Sequence, residues 1–205
     1  MMTEEMKTNA ASYVAKIQAE YRDKNYNISG ETLGENAYQY SIRSDTHDIV
    51  CTIVIVLTTG EYKKHNTRLN AAPIHNGINI YSLDTNEKYR GQGHATKLLL
   101  YTICLAFLSF EDKHLFYVKL DDATAGNQQR MKGHIYHKLG FTPTGQIKLN
   151  MNKKHHVKGA NSGRDVTMEH LLTVIVPSYM YVKGGTSKRK PTKEKQKTKK
   201  NKRVL

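Results

Sequence analysis

No run of about 18 apolar residues, the length a membrane-spanning helix needs, occurs in this 205-residue chain. The most apolar strand-like piece, Ile-Val-Cys-Thr-Ile-Val-Ile-Val-Leu at 49–57, is about half that length. Cysteine is scarce. Cys51 and Cys104 both lie in apolar runs, and read as reduced core thiols of an intracellular protein, not as a disulfide framework. The start, Met-Met-Thr-Glu-Glu, is acidic and polar and lacks the basic and apolar regions of a secretory signal. No internal repeat is found. The expectation is a soluble intracellular protein of the cytoplasm or nucleus, without membrane association, long enough for one ordinary domain with a full core.

Charge is unevenly spread. Between Lys183 and Leu205 stand nine lysines and two arginines against the single acid Glu194, a net +10 out of the chain's +14, leaving +4 for the other 182 residues. The tail opens on Gly184 and Gly185 and has almost nothing apolar after them. It cannot bury enough surface to offset the entropy of ordering, so residues 183–205 are expected to be a disordered basic tail after a domain at 1–182. Three roles fit the tail: nuclear targeting, contact with nucleic-acid phosphates through 188–203, or simple solubilisation.

The body alternates between helical and extended patterns. Residues 8–24 place Ala10, Tyr13, Val14, Ile17 and Tyr21 at helical spacing. Residues 37–43 and 49–58 read as strands joined by the hairpin linker Arg-Ser-Asp-Thr-His-Asp. A polar loop at 60–76 precedes a strand at 78–83. A helix apolar nearly all round at 95–110 is expected to be well buried. A strand follows at 114–120, then a helix at 130–139 that stops at Gly140. Strands are expected from Phe141 and over 166–172 and 173–182, with a polar insertion or hairpin loop at 152–165. The sum is one mixed α/β domain.

Between the strand at 78–83 and the long helix stands Arg90-Gly91-Gln92-Gly93-His94-Ala95. Glycines let a backbone approach a ligand closely, and a helix starting there directs unpaired N–H groups and a positive dipole end outward. The combination suits a pyrophosphate. A P-loop would need Gly-Lys-Ser/Thr, which is absent. A dinucleotide fingerprint would need a third glycine where Thr96 stands.

Arg90, Gly93 and Ala95 form R-x-x-G-x-A, which resembles the acyl-CoA pyrophosphate loop of the GCN5-related N-acetyltransferases, the GNAT superfamily. Downstream, Ile135-Tyr-His-Lys-Leu-Gly-Phe141 resembles the same superfamily's second signature, in the expected order with a strand between. The resemblance covers residues 78–144. It implies a mixed, mostly antiparallel twisted sheet flanked by helices, with a V-shaped splay between two central strands that takes the pantetheine arm. It implies acetyl-CoA as co-substrate and a primary amine as acceptor. The main chain of Leu83, Asp84 and Thr85 would line the thioester, with the N–H near Thr85 polarising its carbonyl. Arg90, Gly91, Gln92, Gly93, His94, Ala95 and Thr96 would hold the pyrophosphate. Tyr136 would contact CoA and protonate its departing thiolate. Asn127 and Gln129 would add CoA contacts. Many relatives carry Asn where Gln129 stands and a small residue where Lys132 stands.

A free amine with pKa about 10 must lose a proton before it attacks. The acids near the gap are Asp84, Glu87, Asp121 and Asp122. The last two serve equally well as a base, as a dock for a cationic amine, or as a solvated turn. His134 and His137, and His155 and His156, lack further ligands at metal spacing and read as surface histidines. No metal is expected. Neither cysteine has a paired base, so direct transfer in a ternary complex is expected. The reading from another class is a non-catalytic binding module that the basic tail delivers to nucleic acid.

Overall fold

In a computed structural model of the chain, residues 3–58, 76–122, 135–143 and 162–180 are described. The first helix, α1 (Glu4–Asp23), begins where the Thr3 hydroxyl accepts the Met6 N–H at 3.3 Å, with Glu4 and Glu5 in the positive first turn. Its stripe Met6, Ala10, Tyr13, Val14, Ile17 and Tyr21 is buried. This is the helical spacing read from the sequence, extended one turn upstream.

Four strands follow: β1 (Asn27–Gly34), β2 (Ala37–Arg43), β3 (Ile49–Thr58) and β4 (Asn76–Thr85). The helix α2 (His94–Ser109) then crosses to β5 (Leu115–Asp122). Then come α3 (Ile135–Lys138), β6 (Thr142–Pro143) and β7 (Ser162–Thr167). Among the described residues, the strands form one seven-stranded sheet in the order β1-β2-β3-β4-β5-β7-β6. β4 and β5 are parallel; the other neighbours are antiparallel. The expected mixed, mostly antiparallel sheet flanked by helices is therefore present. β1 has no sequence signal, because nearly every residue of this edge strand is exposed and burial is what writes period-two patterning.

The core lies between the sheet and the pair α1–α2. α2 buries ten residues, among them Leu98, Leu99, Leu100, Ile103 and Phe107. At about 1.5–3 kcal/mol for each large apolar side chain taken from water, this helix outweighs the exposed ion pairs, each worth about 0–1 kcal/mol. Cys51 and Cys104 are both buried and free. Burial pushes both thiols up from their ordinary range, with a smaller opposing effect at Cys51 from hydrogen bonding to Thr85.

Two readings need correction. The strands expected over 166–172 and 173–182 are not found up to residue 180, where description ends: β7 ends at Thr167 and a helical segment, α4, follows. It runs through Met168–His170, a π-helical stretch Leu171–Ile175, and Val176–Met180. The β-branched residues here suggest strand, but Met168, Leu171, Leu172, Ile175 and Val176 are the buried ones, which is helical spacing. Thr167 caps the start by accepting the His170 N–H at 3.2 Å. Pro177 cannot donate to the carbonyl four residues back, and the wider π turns lie just before it. α4 packs on α1, where Lys16 Nζ donates to the carbonyls of Tyr179 and Met180 at 2.8 Å each. The second correction concerns the polar loop at 152–165: its last four residues belong to β7. Residues 59–75, most of the expected helix at 130–139 and the tail at 183–205 lie outside the described residues.

Candidate active site

The parallel ladder between β4 and β5 runs from Asn76↔Leu115 to Ile80↔Leu120 and stops there. Both strands continue, β4 to Thr85 and β5 to Asp122. β4 stays with β3, its other neighbour, through Thr85; β5 stays with β7 through Asp122. The sheet is thus split between two paired halves, and this is the V-shaped splay. A β-bulge marks the division: Ile55 pairs with Ile80 and Val54 with Ser82, leaving Tyr81 out of the register. A bulge bends and twists its strand, which turns β4 away from β5 at the last shared pair. Tyr81 is 77% exposed.

The bulge also decides which backbone groups face the gap. The Asn86 N–H donates to the Val50 carbonyl at 3.0 Å. In an antiparallel ladder, bonded and non-bonded pairs alternate, so Asp84↔Thr52 is a bonded pair and Leu83↔Ile53 and Thr85↔Cys51 are not. The main-chain groups of Leu83 and Thr85 point away from β3, towards the gap. Arg90 bears this out, since its Nε donates to the Thr85 carbonyl at 3.3 Å.

Beyond β4, a short 3-10 turn at Glu87–Tyr89 leads to Arg90. Gly91 has φ +78° and Gly93 φ +83°, left-handed values that side-chain-bearing residues rarely adopt. A Cβ on Gly93 would meet nothing within 4 Å, so the glycine answers a conformational need and leaves open space in front of it. α2 starts here without a side-chain cap and without an acid in its first turn. The first intrahelical bond is Lys97 N–H to the Gly93 carbonyl at 3.1 Å, so the N–H groups of His94, Ala95 and Thr96 have no intrahelical acceptor. The arrangement is chemically suited to an anion.

The second signature is a helix stop. Gly140, at φ +79°, donates to the His137 carbonyl at 3.1 Å, and Phe141 donates to the Tyr136 carbonyl at 3.0 Å. These two bonds define a Schellman motif. Its accompanying hydrophobic contact is the edge-on packing of Tyr136 on buried Phe141, with ring centroids 5.8 Å apart. The motif therefore orients the half-buried Tyr136 ring. It also sets the height of this element: Pro143 pairs with Arg164, and Arg164 with Leu120, the residue at which β4 and β5 part.

The expected acids are distributed. Asp84 is exposed on the sheet face opposite the core, across from Thr52. Ile49, Thr52, Asp84, Thr85, Asn86, Glu87 and Arg90 line one hollow. Glu87 accepts from Arg90 Nη1 at 3.1 Å. Asp121 and Asp122 end β5 level with Gly163 and Ser162. Asn127 and Gln129 lie outside the described residues. Among the described residues, no group of three or more His, Cys, Asp or Glu could hold a metal ion.

The His94 ring is buried, 8% exposed, among Tyr21, Tyr26 and Tyr89. Burial, with Lys97 and Lys24 nearby, lowers its pKa, and Glu20 opposes this in part. Nothing local in the sequence marks the pairing of His94 with Tyr21, which joins residues 73 apart.

No family model matches this sequence, and no curated protein does. Among solved structures, a bacterial toxin shares the fold with a TM-score of 0.51 at 13% identity, over 68% of this chain and 72% of that one. Mutant forms of a spermidine/spermine N-acetyltransferase from Vibrio cholerae give a TM-score of 0.46 at 12% identity, over 78% and 79% of the two chains. A dodecameric spermidine N-acetyltransferase from the same organism gives 0.45 at 12%, over 77% and 74%. The likeness is one of fold.

Proposed function

We propose that this GNAT-like chain is an N-acetyltransferase that moves the acetyl group of acetyl-CoA directly to a primary amine. The observation that carries the reading is the coincidence of the β4–β5 splay with an uncapped, glycine-built helix start on the same strand's continuation. A thioester carrier with a pyrophosphate needs both: a slot for its arm and N–H donors for its phosphates.

In this reading, the N–H groups from Gln92 to Thr96 hold the pyrophosphate, while Arg90 stiffens the turn through the Thr85 carbonyl. The outward N–H of Thr85 donates to the thioester carbonyl oxygen and stabilises the negative charge that grows there as the amine attacks. One of Asp84, Glu87, Asp121 and Asp122, directly or through water, takes the amine's proton. The C–S bond then breaks, and Tyr136 gives its phenolic proton to the leaving thiolate. Exposed Asp84 beside the gap suits a cationic acceptor. Protein lysines, N-termini, polyamines and other small amines share that chemistry.

Titration calorimetry with acetyl-CoA is the first test: binding at micromolar concentration is expected. Folded protein with no heat up to high micromolar acetyl-CoA would overturn the reading. An acceptor panel followed by CoA release then identifies the amine class. The second reading, a binding module without catalysis, draws on the net +10 of 183–205. Deleting residues 188–205 separates the two. Acetylation should survive the deletion, and any nucleic-acid binding should be lost. A chain that acetylates no acceptor while its tail binds nucleic acid would favour the module.

A further inference from the structure

We propose that Tyr21 and His94 form a positioning clamp beneath the pyrophosphate turn, setting affinity for acetyl-CoA without entering the chemistry. This inference rests on the acetyl-CoA reading of that turn.

The clamp joins residues 73 apart in sequence: the Tyr21 hydroxyl lies 2.8 Å from His94 Nδ1, in a buried contact. On the other side of the ring, Nε2 lies 3.4 Å from the Gln92 Oε1. One arrangement satisfies both. A neutral imidazole protonated at Nε2 donates to Gln92 and accepts from Tyr21 at Nδ1. Gln92 sits between the two left-handed glycines, so the ring grips the turn twice, by its own backbone and through Gln92. Tyr26 and Tyr89 wall the ring at centroid distances of 5.6 and 6.3 Å. The charged groups around the clamp are Glu20 and Lys24 on α1 and Lys97 on α2, with the Cys51 thiol of β3 facing Tyr21. Both lysines are bonded to Glu20. Two cations thus share one carboxylate, and this excess of positive charge, added to burial, disfavours protonating the imidazole.

The turn needs such support. Gly93 faces open space, and Arg90 is an exposed side chain. With so little packing of its own, the turn takes its geometry from its two attachments: Arg90 on Thr85 at one end and His94 on Tyr21 at the other. A loop already held in its binding geometry loses less entropy when the ligand arrives. Freeing one attachment should weaken binding and leave the chemical step alone.

The test compares wild type, Tyr21→Phe, His94→Leu and His94→Asn by acetyl-CoA titration and steady-state kinetics. Tyr21→Phe removes one hydroxyl and should raise Kd and KM for acetyl-CoA roughly threefold to tenfold, the range of one buried hydrogen bond. Its kcat and its KM for the amine should stay at wild-type values. His94→Leu should weaken binding further. His94→Asn, which offers an acceptor near the place of Nδ1, should recover most of that loss. The proposal is overturned if Tyr21→Phe binds acetyl-CoA like wild type, if its kcat falls at constant KM, or if His94→Asn is no better than His94→Leu. Should Tyr21→Phe fail to fold, the His94 pair decides by the same comparison. Wild type that does not bind acetyl-CoA overturns the functional reading and the clamp together, an outcome visible before any variant is made.

Discussion

Gly93 and Gly140 have nearly the same φ, +83° and +79°, and opposite surroundings. Gly93 opens α2, and a Cβ there would meet nothing. Gly140 closes α3, and a Cβ there would come within 2.7 Å of His170 Nε2. Both turns need glycine for the same conformational reason. Among the described residues, only the first is left with open space around it. Open space beside N–H groups without an intrahelical acceptor is where an anion fits; a filled turn fixes neighbouring elements. In the proposed enzyme, one turn seats the carrier and the other sets the ring of the acid.

The largest effect should come from the element that the filled turn orients. Tyr136→Phe should lower kcat about 100-fold or more, with acetyl-CoA affinity changed little, as read by steady-state kinetics beside calorimetry. Unchanged turnover would reduce Tyr136 to a packing partner of Phe141.

Next come the glycines themselves. Gly140→Ala should cost about 2–3 kcal/mol of stability, from left-handed strain plus the displacement of His170, measured by urea denaturation. Adding His170→Ala should return the part due to crowding. Gly93→Ala should cost less, about 1–2 kcal/mol of strain alone, yet should weaken acetyl-CoA binding about tenfold because the new methyl occupies the ligand's space. Equal stability losses at the two sites, or unaltered acetyl-CoA binding in Gly93→Ala, would erase the distinction between them.

The smallest effect concerns pH. The folded-state pKa of His94 is depressed below its ordinary 6.5, so the unfolded chain binds the proton more readily. The resulting stability is present above about pH 6.5 and is lost as pH falls through the folded value. Urea midpoints should fall between pH 7.5 and pH 5.5, and His94→Asn should flatten that slope. An identical slope in the variant would show that the loss arises elsewhere.

The two signatures were legible because each is a local rule. R-x-x-G-x-A records a turn that demands positive φ and a helix start without a cap. Tyr-x-Lys-Leu-Gly-Phe records a Schellman stop with its hydrophobic contact. The stripe of α1 was legible from period, and α2 from its unbroken apolar run. β1 was not, because an exposed edge strand buries too little to leave a pattern. α4 was misread, because its β-branched residues outweighed the spacing of the five that are buried. The setting of the His94 ring was illegible as well, since a histidine's partner 73 residues away leaves no local trace.

By itself, then, the sequence determined the places where the backbone must turn and the helices must begin and end, because those depend on φ and on near-neighbour hydrogen bonds. Tertiary structure alone decided three things. It stopped the β4–β5 ladder at Ile80↔Leu120, it turned Leu83 and Thr85 towards the gap, and it set Tyr21 against His94. Each depends on pairing between segments distant in the chain, where a one-residue bulge at Tyr81 reverses which groups face which neighbour.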